Sequence, residues 1–385
     1  MRYNTGMGKI GIFGGTFDPV HNQHILLAKA AVQTLGLDVL YVVPTFLPPH
    51  KGDFVPTDGD IRLEMLRAAF ANEKKVIVSD YELTQGGKSY SYLTVAHFAK
   101  LHEGEQLWFV LGEDMFENFP KWKYPEKIVD RARIAASKRK GSGISFRKAK
   151  KAFETITKNY DLLPFYGKAV SSTEIRTRTA LGLSVDGLVP PAVQEVIAKY
   201  GLYENGVCAT VKDYLKPSRL EHTAGVIELA LILAKRLGVD QRKAFLAAAI
   251  HDLAKYQRAE DYADCVMPSG VPDPVKHAFL GAYLAEKELG IVDEEILNAI
   301  KYHTSGRAKM TTLEKIVYLA DMVEKNRKYR GVNKLRKLLE KDFEKAFCAA
   351  IRKSYRFLLK TKRKDQIFPL TKEAYEYYCR QRGRQ

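Results

Sequence analysis

The chain has 385 residues, of which 46% are hydrophobic and 28% charged, with a formal net charge of +17. That length accommodates two or three ordinary domains, each with its own core, and no apolar run approaches the roughly 18 residues that cross a bilayer. The N-terminus runs directly into an apolar strand, so no leader is expected (Met7 is a second candidate start). The four cysteines, Cys208, Cys265, Cys348 and Cys379, form no CxxC pair, so neither a zinc site nor a disulfide framework is expected and a reducing cytoplasm suits the chain.

Residues 9–13 read as a first strand, followed by a helical pattern over about 21–35. Further strands are expected at 39–43, 76–78 and 107–111, with helices at 62–71 and around 92–101. Strands interleaved with helices imply an α/β fold with a doubly wound parallel sheet, which binds ligands at the carboxyl ends of its strands. Gly14-Gly15-Thr16-Phe-Asp-Pro-Val-His21-Asn-Gln-His24 lies between the first strand and its helix. Its two glycines let the backbone approach a ligand, and the helix start offers free N–H groups and partial positive charge to a phosphate. His21 and His24 share one face of the first turn, where two imidazoles can stabilise charge building up at phosphorus. Further on, Val170-Ser171-Ser172-Thr-Glu-Ile-Arg176 reads as a capping box with Ser171 as N-cap. Arg176, one turn in, is a cation for phosphate oxygens.

These two segments, in this order, resemble the ATP site of the nucleotidyltransferase superfamily. Pro48-Pro-His50-Lys51, Ser89-Tyr-Ser91-Tyr-Leu-Thr94, Gly112-Glu-Asp114-Met115 and Pro120-Lys-Trp122 narrow the resemblance to bacterial nicotinate mononucleotide adenylyltransferases, over about residues 8–204. The resemblance implies transfer of AMP from ATP to nicotinate mononucleotide with Mg²⁺ assisting. It implies Gly14, Gly15, Thr16, His21, His24, Ser171, Ser172 and Arg176 on the ATP side, and His50, Lys51, Ser91, Asp114, Trp122 and Arg139 near the acceptor. His21, His24 and Arg176 are the residues expected to act on the reacting phosphates. The chain departs from the family pattern at Gln23 (usually glycine), Ser91 (usually threonine) and Glu113 (usually alanine).

After about Gly206 the pattern becomes all-α, with spacing of three and four over 227–237, 242–251, 277–289, 294–302 and 313–324. A front domain of 1–206 and a rear domain of 207–385 are expected. The rear half has four histidines, His222, His251, His277 and His303; Asp252 follows the second, and Asp321 lies in Leu319-Ala-Asp321. Imidazoles and carboxylates suit borderline divalent metals, and bundles build such sites from several helices. Arg219-Leu-Glu-His222, His251-Asp252-Leu-Ala-Lys255, His277-Ala-Phe-Leu-Gly281, Tyr302-His303-Thr-Ser-Gly306 and Leu319-Ala-Asp321 together resemble the HD-domain symmetrical diadenosine tetraphosphate hydrolases, over about 211–375. That resemblance implies a dinuclear centre, with iron expected and manganese as the alternative. His222, His251, Asp252 and Asp321 would hold one metal. His277, His303 and a bridging Asp252 would hold the other, with Lys255 and Arg327 neutralising substrate phosphates. Lys325 stands where the family often has proline.

Much of the basic excess sits at 138–151 and 325–364. It reads as solvated helix surface; no RNA- or DNA-binding motif accompanies it, so no specific nucleic-acid partner is expected. Homo-oligomerisation is left open. Other readings stand beside the bifunctional enzyme: an HD domain acting on a different nucleotide, one catalytic domain paired with a nucleotide-sensing module, and an RNA-binding protein using the basic tail, which a steep salt dependence of affinity would reveal.

Overall fold

The structure is a computed structural model and describes residues 7–49, 55–139, 146–167, 170–361 and 367–380. The chain divides into two compact units, one of Met1–Arg176 with Val185–Leu202, the other of Thr177–Ser184 with Tyr203–Gln385. The division thus falls at Leu202, a few residues before Gly206, and a short segment after Arg176 counts with the rear unit. Among the described residues no helix is long and apolar enough to cross a membrane.

In chain order the front unit contains β1 (Lys9–Gly15), α1 (Asn22–Leu35), β2 (Val39–Pro44), α2 (Gly59–Phe70), β3 (Val76–Val78), α3 (Tyr81–Gln85), α4 (Ser91–Leu101) and β4 (Gln106–Leu111). It continues with α5 (Glu113–Asn118), α6 (Pro125–Val129), β5 (Arg133–Arg139), α7 (Phe146–Phe153), β6 (Tyr160–Gly167), the start of α8 (Ser172–Ala180), and α9 (Pro191–Lys199). The six strands are parallel and ordered β3-β2-β1-β4-β5-β6. Helices cover both faces of such a sheet, so its inner strands are apolar throughout; in β4 every residue from Leu107 to Leu111 is buried. The strand order reverses between β1 and β4, and the crevice at their carboxyl ends is where this architecture holds nucleotides.

Two strands have no clear sequence signal. β5 is an inner strand, yet its buried residues are Ile134 and the small Ala135, Ala136 and Ser137, flanked by charge. β6 contains Pro164, which removes a ladder donor and is tolerated because β6 is the sheet's edge. The register also shifts between β5 and β6 at Ala136/Lys138.

The rear unit is helical: α10 (Gly206–Tyr214), α11 (Pro217–Leu237), α12 (Gln241–Ile250), α13 (Asp273–Leu289), α14 (Glu294–Lys301), α15 (Thr312–Val323), α16 (Val332–Lys341), α17 (Phe343–Thr361) and α18 (Pro369–Tyr375). Asn205 caps α10 by accepting the Cys208 N–H at 3.1 Å. The helix expected from 227 begins at Pro217, because its first half buries His222 and Thr223 on the core face and so hides the apolar period. The basic stretch after 325 forms amphipathic helices. Val332, Leu335 and Leu339 of α16 and Phe343, Phe347 and Ile351 of α17 are buried, while the intervening lysines face outward or lie at the rim. Cys348 and Cys379, distant in sequence, meet as free thiols with sulfurs 3.2 Å apart. Burial pushes the Cys379 thiol up to about 12.

Candidate functional site

At the end of β1 the backbone turns through Thr16-Phe17-Asp18 into α1. Phe17 is left-handed (φ 49°) and buried, and its ring would lie 2.9 Å from a Cβ on Gly15. Gly15 is therefore needed by Phe17 itself; a Cβ on Gly14 would meet only the Phe109 ring at an ordinary 3.7 Å. His21 is the N-cap of α1. Its Nδ1 accepts the His24 N–H at 3.4 Å, while His24 Nδ1 accepts the His21 N–H at 3.2 Å. The rings stack at 3.5 Å between centroids, 14° from parallel. This is a capping box built from two imidazoles. With each Nδ1 acting as acceptor, a neutral ring carries its proton on Nε2, the donor a phosphate oxygen requires. Gln23 lies half-buried in the same turn.

The second segment is fastened to this turn. Ser171 Oγ accepts the Glu174 N–H at 3.0 Å, as an N-cap does. Ser172 Oγ donates to the Pro19 carbonyl at 3.0 Å, and Arg176 Nη1 donates to the Asp18 carbonyl at 2.6 Å. Thus Gly14, Gly15, Thr16, His21, His24, Ser171, Ser172 and Arg176 converge at one end of β1.

A residue that motif reading passes over, Arg62 of α2, organises the floor. Its side chain is 1% exposed; Nε donates to the Thr57 carbonyl at 2.7 Å, and Nη1 to the carbonyls of Thr16 at 3.0 Å and Thr45 at 2.7 Å. The signal was an arginine beside Leu63, Met65 and Leu66, all buried. Glu82 is its buried counter-charge; burial raises the Glu82 carboxyl, against hydrogen bonds from Thr94 (2.5 Å) and Ser89 and the Arg62 charge.

Of the residues expected near the acceptor, Ser91 opens α4, half-buried, and Asp114 is exposed in the first turn of α5, immediately after β4. Trp122 is half-buried, with its ring edge-on to Phe109 at 6.2 Å and tilted on Phe119 at 5.3 Å. His50 and Lys51 lie outside the described residues, as does the side chain of Arg139.

In the rear unit, α11 supplies His222, the turn after α12 supplies His251, Asp252 and Lys255, α13 supplies His277, the turn after α14 supplies His303, and α15 supplies Asp321. Their ligand atoms gather in two groups, His222 with His251 and Asp321, and Asp252 with His277 and His303, each within 4.8 Å. Asp252 joins them. Its Oδ2 is 3.3 Å from His251 Nε2 and 3.9 Å from His222 Nε2, while Oδ1 is 3.1 Å from His277 Nε2 and 3.7 Å from His303 Nε2.

The rings are held from behind. His251 Nδ1 donates to the Ala248 carbonyl at 2.7 Å, His303 Nδ1 to the Ile300 carbonyl at 2.8 Å, and His222 Nδ1 lies 3.1 Å from Glu324 Oε1. Each such bond turns an Nε2 lone pair toward the centre, as metal-bound histidines require. His277 Nε2 and His303 Nε2 face each other at 3.3 Å, and the buried His251 Nε2 and Asp252 Oδ1 make no hydrogen bond. A buried cluster of converging acceptors needs a cation, so the donor set fits a pair of divalent metals.

Glu324 was not expected at the site. Its Oε2 also accepts the Asn326 N–H at 2.6 Å, and a Cβ on Gly225, one turn beyond His222, would collide with it. Thr304 Oγ1 is 2.9 Å from His303 Nε2.

Charge agrees with this geometry. Burial pushes the His251 pKa down and that of His277 down to about 4, keeping both neutral. His222 is pulled two ways: burial disfavours its charge, but hydrogen bonds to Asp321 and Glu324 raise its pKa overall. Burial likewise opposes ionisation of Asp252, yet the surrounding imidazoles hold it well below the usual carboxylate range, with Arg219 Nη1 2.9 Å and Lys255 Nζ 3.4 Å away. Asp321 is lowered against its burial by His222 and by Arg327, which pairs with it.

The fold and these constellations define a nucleotidyltransferase-type α/β unit followed by an HD-type helical unit. A cytidylyltransferase-like family model matches residues 12–178 and an HD domain model matches 219–326. A Clostridium tetani protein named "Probable nicotinate-nucleotide adenylyltransferase" is 39% identical over 200 residues, 51% of this chain and 100% of its own length. The Bacillus subtilis "Bis(5'-nucleosyl)-tetraphosphatase, symmetrical" is 42% identical over 176 residues, 44% of this chain and 94% of its own. A Mycoplasma genitalium protein named "Probable nicotinate-nucleotide adenylyltransferase/Ap4A hydrolase" is 29% identical over 355 residues, 89% of this chain and 97% of its own. The chain belongs, in its front half, to the nicotinate-nucleotide adenylyltransferase family and, in its rear half, to the symmetrical bis(5'-nucleosyl)-tetraphosphatase family.

Proposed function

We propose that the front unit transfers AMP from ATP to nicotinate mononucleotide, giving deamido-NAD and pyrophosphate, and that the rear unit cleaves diadenosine tetraphosphate with water into two ADP. The reading is that of a cytoplasmic enzyme whose two domains, 1–206 and 207–385, act on nucleotides. The observation that carries it is the convergence of imidazole nitrogens and carboxylates around two places a phosphate chain would occupy: the stacked His21 and His24 at a helix start, and the Asp252-centred cluster.

In the front reaction the acceptor phosphate attacks the α-phosphorus directly, so no protein nucleophile is needed. His21 and His24, donating through Nε2, neutralise charge that grows on the phosphates, and Arg176 and the α1 start add to it. Trp122 offers an aromatic edge of the acceptor pocket, and the triphosphate would bind as its Mg²⁺ complex, the ion adding positive charge at the phosphates. In the rear reaction His222, His251, Asp252 and Asp321 would hold one metal, and Asp252, His277 and His303 the other, with iron expected and manganese as the alternative. Such a pair would supply Lewis-acid charge at phosphorus and lower the pKa of a water it held. Lys255, Arg219 and Arg327 hold the substrate's phosphates against that centre.

The test is one purified full-length protein given ATP with each mononucleotide in turn, then diadenosine tetraphosphate with iron(II) or manganese(II), products resolved by chromatography. Dinucleotide from nicotinate mononucleotide and ADP as sole product of the tetraphosphate are expected. No dinucleotide with either mononucleotide, or ATP plus AMP from the tetraphosphate, overturns the corresponding half.

A further inference from the structure

Beside the metal ligands the rear unit has a cleft of about 460 Å³ whose walls carry Arg219, Arg327, His222 and Tyr256 together with the carboxylates of Glu221 and Glu324. The arginines and the ligand have roles in the reading above; the aromatic side chain has none. Tyr256 ends the turn that carries His251, Asp252 and Lys255, and the residue is 42% exposed. Lys216 Nζ stands 4.6 Å from the ring centroid, a cation–π contact that steadies the ring at the start of α11. The cleft therefore has an aromatic end and a metal-ligand end. Arg219 Nη1 reaches Asp252 Oδ2 at 2.9 Å, and Arg327 Nη2 lies 3.4 Å from His222 Nε2, so its cations stand against the ligand cluster.

We propose that Tyr256 stacks on the nucleobase of the nucleotide whose phosphates lie at the two arginines, making this cleft a nucleoside subsite; the proposal rests on the rear unit being a phosphohydrolase. The volume lies low in the roughly 300–1,000 Å³ range of small-molecule pockets, which suits one nucleotide rather than a whole dinucleotide. Stacking is tolerant of base identity because every base has a π face. The subsite thus separates nucleotides from base-free phosphate chains and discriminates little among bases.

Full-length protein loaded with manganese is tested as wild type, Tyr256→Ala, Tyr256→Phe and Tyr256→Trp. Loss of one base–aromatic stack corresponds to about a 5- to 150-fold weakening, so Tyr256→Ala should raise KM for diadenosine tetraphosphate by that factor with kcat nearly unchanged. Phe and Trp should hold KM within a few-fold. Turnover of inorganic tetrapolyphosphate should not change in any variant. The same variants are titrated calorimetrically with ADP and with pyrophosphate; Tyr256→Ala should weaken ADP alone. An unchanged KM and ADP affinity in Tyr256→Ala, or equal weakening of ADP and pyrophosphate, overturns the proposal. A wild type that binds ADP but leaves the tetraphosphate intact sinks the hydrolase reading instead, and the ADP-against-pyrophosphate comparison still decides the role of Tyr256.

Discussion

Replacing Glu324 with glutamine changes a few atoms at a residue that is 1% exposed, yet it should loosen the rear metal centre. The carboxylate accepts on both oxygens, from His222 Nδ1 at 3.1 Å and from the Asn326 N–H at 2.6 Å. Glutamine has one acceptor oxygen, so its NH2 must face one of those donors. A buried donor left facing another costs about 1–3 kcal/mol. If the misfit falls on His222, the ring loses the partner that fixes its tautomer, and outer-shell losses of this kind lower metal affinity about 10- to 100-fold. That corresponds to about 1.4–2.7 kcal/mol. Gly225→Ala perturbs the same carboxylate from the opposite side, because the new Cβ would collide with Oε2, and should shift affinity in the same direction. Manganese affinity is measured by competition with a chelator, with adenylyl transfer by the front unit and thermal unfolding as controls for folding. Affinity within twofold of wild type in both variants, with both folded, would refute the claim that Glu324 orients His222.

His24→Ala should lower adenylyl-transfer kcat about 10²–10³-fold, the usual consequence of removing a donor aimed at developing charge, with KM for the acceptor changed only a few-fold; equal losses in both would argue against that role. Asp252→Ala should abolish metal retention and tetraphosphate hydrolysis while leaving adenylyl transfer within twofold; hydrolysis that survives would remove Asp252 from the centre. In metal-free protein, His277 is pushed down to about 4 from an ordinary 6.5, so between those values the unfolded chain binds more protons than the folded one. The stability contribution is present above pH 6.5 and is lost as the pH falls toward 4, by up to about 3 kcal/mol if the full shift is realised. His222, raised by its carboxylates, acts in the opposite sense, its contribution being lost as pH rises above 6.5. Urea unfolding of chelated protein at pH 7 and pH 5 should show the loss, and His277→Gln should flatten it; an unchanged slope in that variant would be contrary.

The chemistry was legible because it demands particular residue types at short spacing. His21 and His24 sit one turn apart, and Ser171 to Arg176 form a helix start, so each segment can be read locally as a candidate phosphate site. The candidate metal ligands were readable from residue type, four histidines and two aspartates, although they come together only through five separate segments. What escaped reading is what depends on neighbours distant in sequence. β5 is built on alanines whose burial depends on β4 and β6, and β6 tolerates Pro164 only by being at the edge. The first half of α11 loses its apolar rhythm because His222 and Thr223 occupy core-facing positions. A motif broken by function is where periodicity should fail. Arg62, Gly225 and Glu324 have no motif of their own; each matters through the carbonyl, carboxylate or ring that folding brings to it.

The mutual cap at the start of α1 makes His21 and His24 a single module. Each ring is the acceptor for the other's amide, and they lie face to face, so deleting one also releases the rotamer of its companion. Their substitutions should accordingly show epistasis, the double change costing less than the two single changes summed. Grafting this corner onto another scaffold would require both rings and the helix start to move together.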